Sequence, residues 1–210
     1  MRFSYIAIEG NIGSGKTSLA QQLAQDFNGR MCLEKFADNP FLAKFYSNPR
    51  QYAFSLELYF MAERFQQMKT LTAERDMFND FLVSDYLFVK SLLFANITLD
   101  EDENLLYRKL FDIMHPNIAQ PQMIVYLHND IDNLLRNIAK RGREYEKLIQ
   151  PEYLEKIQLA YLQYFKSITK QIVLIVNTSK LNFVESKDDY NKLVALINPE
   201  FMPGTHFINP

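Results

Sequence analysis

The sequence predicts an α/β fold: a parallel β-sheet with helices on both faces. Three observations carry that prediction. Short apolar runs alternate with longer amphipathic stretches along all 210 residues, which is the pattern of repeated βαβ units. The first apolar run ends in a glycine-rich turn that leads straight into a helical stretch. No repeat, low-complexity tract or Gly/Ser linker interrupts the chain, so residues 1–210 read as one domain, long enough to bury a sizeable core.

Phe3–Glu9 (FSYIAIE) is an apolar run stopped by Gly10, as a buried parallel strand requires. Lys16–Phe27 places Leu19, Leu23 and Phe27 at a spacing of four, one face of a helix. Met31–Leu33 reads as a short second strand. Gln51–Glu74 carries Phe54, Leu58, Met61, Phe65 and Met68 in a long helical stripe. Phe81–Val83 is a third strand ending at Ser84 and Asp85. Helices are expected over Tyr86–Asn96 and Glu103–Ile118. Met123–Leu127 (MIVYL) is a fourth strand, and a helix from Ile131 runs to the basic segment Lys140–Arg143. Glu152–Lys170 is a helix, Ile172–Val176 (IVLIV) a fifth strand and Lys187–Ile197 a last helix. The tail, residues 199–210, holds three prolines and a glycine and is expected to trail over the surface.

Composition excludes several classes. Hydrophobic residues make up 48% and charged residues 23%, so the chain is neither disordered nor collagenous. A net charge of −2 argues against nucleic acid or a membrane surface as a partner. The single cysteine, Cys32, has no internal disulfide partner, which fits a reducing compartment. No apolar run approaches the roughly 20 residues that cross a bilayer. The N-terminal MRFSYIAIEGNIG carries Glu9 inside an apolar segment too short for a signal peptide. The expectation is a cytoplasmic protein.

Only six glycines occur, and three of them lie in Gly10-Asn11-Ile12-Gly13-Ser14-Gly15-Lys16-Thr17. That octapeptide matches G-x-x-x-x-G-K-[ST] between a strand and a helix. The glycines let the backbone aim its N–H groups at phosphate oxygens, and the helix N-terminus adds its positive dipole end. Lys16 places a compact charge on the β/γ-phosphates, and the Thr17 hydroxyl is the expected Mg²⁺ ligand. The motif points to use of a nucleoside triphosphate but does not name an acceptor.

Carboxylates mark the strand ends, where the ligand crevice of an open α/β sheet lies. Glu34 follows the second strand and Asp85 the third. A kinase needs one such group at the accepting hydroxyl and another helping with Mg²⁺. Asp85 also suits a cap for the helix at Tyr86. In Lys140-Arg141-Gly142-Arg143 the arginines suit a lid, about residues 140–150, that neutralises the transferring phosphoryl group. The same cations also suit an ordinary helix C-terminus.

Together these residues resemble the deoxynucleoside kinase family, from Ile6 to about Phe183. The family loop G-N-I-G-S-G-K is matched at Gly10–Lys16. The segment E-x-x-x-x-N-P-[FY] is matched at Glu34–Phe41, and the R-G-R lid at Arg141–Arg143. The resemblance implies a P-loop kinase fold with a five-stranded parallel sheet, ATP as donor with Mg²⁺, a deoxynucleoside acceptor, and a homodimer built through long helices. It makes Glu34 the base on the 5′-hydroxyl, and Tyr46 and Glu146 the groups that bind the 3′-hydroxyl. Tyr46, Glu57 and Arg64 keep the family's spacing along the chain.

Three departures stand out. The family's [DE]-R-S is Asp85-Tyr86-Leu87 here, so the arginine that meets the base glutamate is missing; another cation or Tyr86 must substitute. The helical arginine before the lid is Asn137, next to Arg136. The family's base-reading glutamine is Glu57. Glutamine offers a donor and an acceptor, as an adenine or cytosine edge requires; an ionised glutamate only accepts, as guanine N1–H and N2–H₂ require. Arg64 could donate to guanine O6 or N7. Glu57 and the S-D-Y sequence resemble the bacterial deoxyguanosine kinase branch. The alternative for Glu57 and Arg64 is an ion pair on a solvated helix face. One or two aromatics, Phe45 or Phe111 among them, are candidates to stack on the base. The three histidines show no ligand spacing.

The resulting expectation is 5′-phosphorylation of a purine deoxynucleoside, preferably deoxyguanosine. Lys16, Glu34, Arg141 and Arg143 are the catalytic set. The alternatives are a deoxyadenosine/deoxycytidine or broad-specificity kinase, a nucleoside monophosphate kinase, and a P-loop switch protein.

Overall fold

The sheet is built in the order β2-β3-β1-β4-β5-β6, and every neighbouring pair is parallel. A computed structural model describes residues 3–36, 39–73 and 78–210. Ala37 and Asp38 of the glutamate–asparagine–proline segment, Glu74 at the expected end of the long helix, and Met1 and Arg2 lie outside the described residues.

β1 (Tyr5–Gly10) occupies the middle of the sheet with all six residues buried. Its side chains alternate between two cores. Ile6 and Ile8 join Leu19 and Leu23 of α1 (Lys16–Asp26) and Leu193 of α8 (Lys187–Ile197) on one face. Tyr5 and Ala7 join Met61 and Met68 of α3 (Pro49–Ala73) and Tyr161 of α7 (Pro151–Lys166) on the other. β4 (Met123–His128) splits the same way, with Val125 to the first face and Tyr126 to the second. A strand buried on both faces reads as an unbroken apolar run, which is why β1 and β4 were legible.

The register brings the carboxyl ends of three strands together. β1 stops at Gly10, β2 (Gly29–Cys32) two residues before Glu34, and β3 (Phe81–Ser84) one residue before Asp85. β1 sits between β3 and β4, where the chain reverses its direction across the sheet, so the glycine-rich turn opens at the switch point.

Four expectations need correcting. The tail does not merely trail: β6 (Gly204–Ile208) pairs with β5 (Ile172–Asn177), making six strands rather than five. Its pairing is non-local and flanked by turn residues, so no local pattern announces it. The helix expected from Tyr86 begins at Lys90, as α4 (Lys90–Thr98), because the Leu87 N–H bonds the Glu9 carboxylate at 2.7 Å. The next helix, α5 (Glu101–Met114), stops short of Ile118, giving way to a 3-10 turn over His115–Asn117 that contains Pro116. A short helix over Leu42–Ser47, α2, was not expected.

β6 contributes to stability. Thr205 Oγ1 bonds the Phe165 carbonyl at 2.8 Å, and Phe201 and Ile208 pack on the α1/α8 core. Deleting residues 199–210 is expected to cost about 2–4 kcal/mol, lowering Tm by roughly 5–15 °C for a chain of this size. Calorimetry checks it; an unchanged Tm would leave β6 with no stabilising role.

Candidate active site

The loop after β1 is held open by backbone geometry. Gly13 and Gly15 have φ of 82° and 87°, in the left-handed region. A Cβ on Gly13 would meet the Leu134 carbonyl at 2.8 Å, and one on Gly15 the Phe183 ring at 2.7 Å, so larger residues fail on both counts. No side chain caps the N-terminus of α1, which leaves its first N–H groups for an anion. Ser14 Oγ is buried with no hydrogen-bond partner. Asn11 braces the loop, with its amide on the Leu154 carbonyl at 2.7 Å and its own carbonyl on Lys16 Nζ at 2.9 Å. Burial, then the neighbouring Lys90 charge, lowers the Lys16 pKa to about 8, as a cation waiting for a polyanion would show.

This loop floors one cavity of about 710 Å³. The cavity also receives Glu34, Tyr46, Glu57, Arg64, Asp85, Arg141, Arg143 and Glu146. Apart from Phe111, the acceptor-side residues singled out in the sequence therefore meet in one space with Gly13–Thr17 and Ile12.

Asp85 does not cap a helix. Its carboxylate accepts from Thr17 Oγ1 at 2.5 Å and from the Glu34 backbone N–H at 2.7 Å. It joins the loop to the segment after β2. The convergent hydroxyl and carboxylate oxygens are hard donors of the kind Mg²⁺ takes. Among the described residues no three His, Cys, Asp or Glu side chains gather into a metal cage, and Mg²⁺ in such sites leans on substrate phosphates rather than a cage.

Glu34 is held by two cations. Arg64 donates from Nε at 2.8 Å and Nη2 at 2.5 Å to Oε1, and Lys90 Nζ lies 2.7 Å from Oε2. Burial alone would raise the Glu34 pKa, but the Lys90 and Arg64 charges and hydrogen bonds hold it well below the usual carboxylate range. Tyr86 is not the missing partner: its hydroxyl turns away to Gln67 at 2.8 Å and Cys32 at 3.2 Å. Lys90 fills that place instead. The sequence carried one signal for it, since it is the only Lys or Arg between Phe81 and Leu99, and a lysine in an apolar helix demands a counter-charge.

Glu57 and Arg64 are not a solvated surface pair. They are 2% and 3% exposed, and Arg64 turns to Glu34 and to Ser91 Oγ, 2.7 Å away. The Glu57 carboxylate accepts from Thr98 Oγ1 at 3.1 Å. Burial pushes its pKa up to about 7, against the pull of the Arg64 charge. Phe60 and Phe94 also line the cavity. Phe45 lines it too, whereas Phe111 stacks on Phe88 and His115 in the core.

α6 (Ile131–Arg141) ends on Gly142 at φ 71°, with open space where a Cβ would stand, and a 3-10 turn over Glu144–Leu148 follows. Arg141 and Arg143 both bond the buried Glu146, at 2.5 Å and 3.2 Å. The Arg143 guanidinium also covers the Phe36 ring at 3.8 Å. Tyr46 stacks on Tyr145 beside them, at 6.0 Å and 12°. Asn137, standing where an arginine was expected, bonds the Gly13 carbonyl at 2.9 Å. Sequence reasoning also passed over Glu9. It is fully buried and accepts from Leu87 N–H and Tyr161 Oη.

A glycine-rich loop with an uncapped helix N-terminus at a sheet switch point, facing a carboxylate held by two cations and a pair of arginines, is the architecture of a P-loop phosphotransferase. The chain belongs to the deoxynucleoside kinase family, whose model matches residues 6–202. It is 34% identical over 195 residues to the deoxyguanosine kinase of Bacillus subtilis, covering 91% of this chain and 94% of that one. It is 32% identical over 211 residues to the deoxyadenosine kinase of Dictyostelium discoideum, covering 99% and 84%. Among solved structures, deoxyadenosine kinase from M. mycoides with bound dATP matches at TM-score 0.77 and 20% identity, covering 93% of this chain and all of that one.

Proposed function

We propose that the protein transfers the γ-phosphoryl group of ATP to the 5′-hydroxyl of a purine deoxynucleoside, with deoxyguanosine preferred. The observation that carries the base preference is Glu57, a buried carboxylate facing the cavity. When ionised it only accepts hydrogen bonds, and guanine offers it two adjacent donors. The relatives include deoxyguanosine, deoxyadenosine and deoxycytidine kinases, so the preference rests on this side chain rather than on similarity.

Gly10, Asn11, Ile12, Gly13, Ser14, Gly15, Lys16 and Thr17 hold the donor phosphates in this reading. Thr17 and Asp85 hold Mg²⁺, which when bound offsets phosphate charge. Glu34 accepts the 5′-hydroxyl proton as the oxygen attacks. Arg64 fixes the orientation of Glu34 and closes the base end of the cavity. Tyr46 and Glu146 bind the 3′-hydroxyl. Arg141 and Arg143 leave Glu146 for the transferring phosphoryl group, whose charge they stabilise. The reading includes a homodimer; Leu105, Leu106 and Ile113, exposed on α5, support a self-association surface, and light scattering tests it.

Four deoxynucleosides compared at saturating ATP and pH 8 should show deoxyguanosine leading in kcat/KM. A tenfold lead for deoxyadenosine or deoxycytidine overturns the Glu57 reading. With dGMP as rival acceptor, turnover should be at least about 100-fold slower, because its 5′-phosphate would stand against the Glu34 carboxylate.

A further inference from the structure

We propose that Lys90 is a catalytic residue of this site, its ammonium bridging Glu34 and the oxygens between which the phosphoryl group passes. The inference rests on the reading of Glu34 as the base of a kinase. Lys90 opens α4, its side chain is 7% exposed, and its Nζ lies 2.7 Å from Glu34 Oε2. The ammonium stands 5.5 Å from the centroid of the Phe94 ring, another wall of the cavity. Lys16 and Lys90 both line the cavity, so two ammonium groups face the same space, one on the donor loop and one on the acceptor's base. Like charges are brought together this way where a polyanion is to bind.

Neutralising Glu34 does not by itself require Lys90. Arg64 already gives Oε1 two hydrogen bonds and is itself fixed by Ser91 and by the Phe60 ring, 4.9 Å from its guanidinium carbon. A second cation on the same carboxylate makes it a poorer base. That cost is recovered if the cation moves off as the proton arrives. An ammonium on a flexible stem has three donors and suits such a move; a guanidinium held on three sides does not.

In the step, the acceptor 5′-oxygen forms its bond to the γ-phosphorus and its proton goes to Glu34 Oε2. The bond from that phosphorus to the leaving nucleoside diphosphate oxygen breaks with its electron pair. Lys90 keeps its proton throughout. It shifts hydrogen bonds from Glu34, which becomes neutral, to a phosphoryl oxygen.

The test compares Lys90→Met and Lys90→Arg with the unaltered protein, using ATP and the best deoxynucleoside. Lys90→Met is expected to lower kcat by about 10²–10³-fold, the scale for a lost electrostatic contact in a transition state, with KM for the nucleoside changed less than about threefold. Lys90→Arg is expected to keep kcat within about tenfold, since a cation is restored. Lys90→Gln carries the expectation for Lys90→Met if that variant does not fold, judged by circular dichroism and Tm. A kcat within fivefold of the unaltered protein, or a loss confined to KM, overturns the proposal. Glu34→Gln, measured alongside, separates the two levels. If it is nearly inactive while Lys90→Met is not, Lys90 alone is misassigned. If Glu34→Gln keeps its kcat, the reading of Glu34 fails and the proposal falls with it.

Discussion

Glu34→Gln is expected to lower kcat by about 10²–10⁴-fold, the range for removing a general base. The amide keeps the volume of the carboxylate, but its one carbonyl oxygen can accept from only one of the two cations, Arg64 or Lys90, and its NH₂ faces the other. What it loses is the ability to take the 5′-hydroxyl proton. The substitution also leaves two buried cations facing a neutral group: the Arg64 and Lys90 side chains are 3% and 7% exposed. Breaking a buried pair costs about 3–5 kcal/mol when one partner is removed outright, and the amide carbonyl softens that. A Tm decrease of several degrees should therefore accompany the loss of turnover. Steady-state kinetics with ADP detection, together with calorimetry, read both effects. A kcat within tenfold of the unaltered protein would remove Glu34 from the base role.

Glu57→Gln is expected to change which base is accepted more than how fast the reaction runs. At pH 8 the glutamate is ionised and faces an acceptor on adenine N1, a buried mismatch of about 1–3 kcal/mol. Glutamine offers that nitrogen a donor, so the preference for deoxyguanosine over deoxyadenosine should fall by a factor of about 5–150. No change in the ratio would mean that residue 57 does not face the base.

The same side chain predicts a pH effect. Burial pushes the Glu57 pKa up to about 7, so the protonated form dominates below that pH. A protonated carboxyl presents one donor and one acceptor, as glutamine does. The sign follows: as pH falls through 7, deoxyadenosine gains on deoxyguanosine, and as pH rises the preference sharpens. The charged and titratable groups packed around Glu57 are Arg64, Lys90, Glu34 and Tyr107, with Tyr46 and Tyr153 close enough to be influenced by it. Titrations of Lys16 and Glu34 affect both substrates alike and cancel in the ratio of kcat/KM values. That ratio should vary between pH 5.5 and 8.5 in the unaltered protein and stay flat in Glu57→Gln. A flat ratio in both would place the Glu57 titration outside this range.

The sequence by itself determined the parts whose meaning is contiguous or purely chemical. The loop from Gly10 to Thr17 is eight consecutive residues between a strand and a helix, so its spacing carries its geometry. Strands buried on both faces announce themselves as apolar runs, as β1 and β4 do. The difference between a glutamine and Glu57 is a difference in hydrogen-bond inventory that needs no coordinates. Only the tertiary structure decided which charges meet. Glu34 finds Arg64 and Lys90 from 30 and 56 residues away, and a lysine with no motif around it comes to share the floor of the cavity with Lys16. Tyr86, adjacent in sequence to Asp85, turns to Cys32 instead. β6 joins a strand whose first residue lies 32 positions earlier. The physical reason is common to these cases: Coulomb attraction and edge pairing depend on distance in space, and only folding sets that distance.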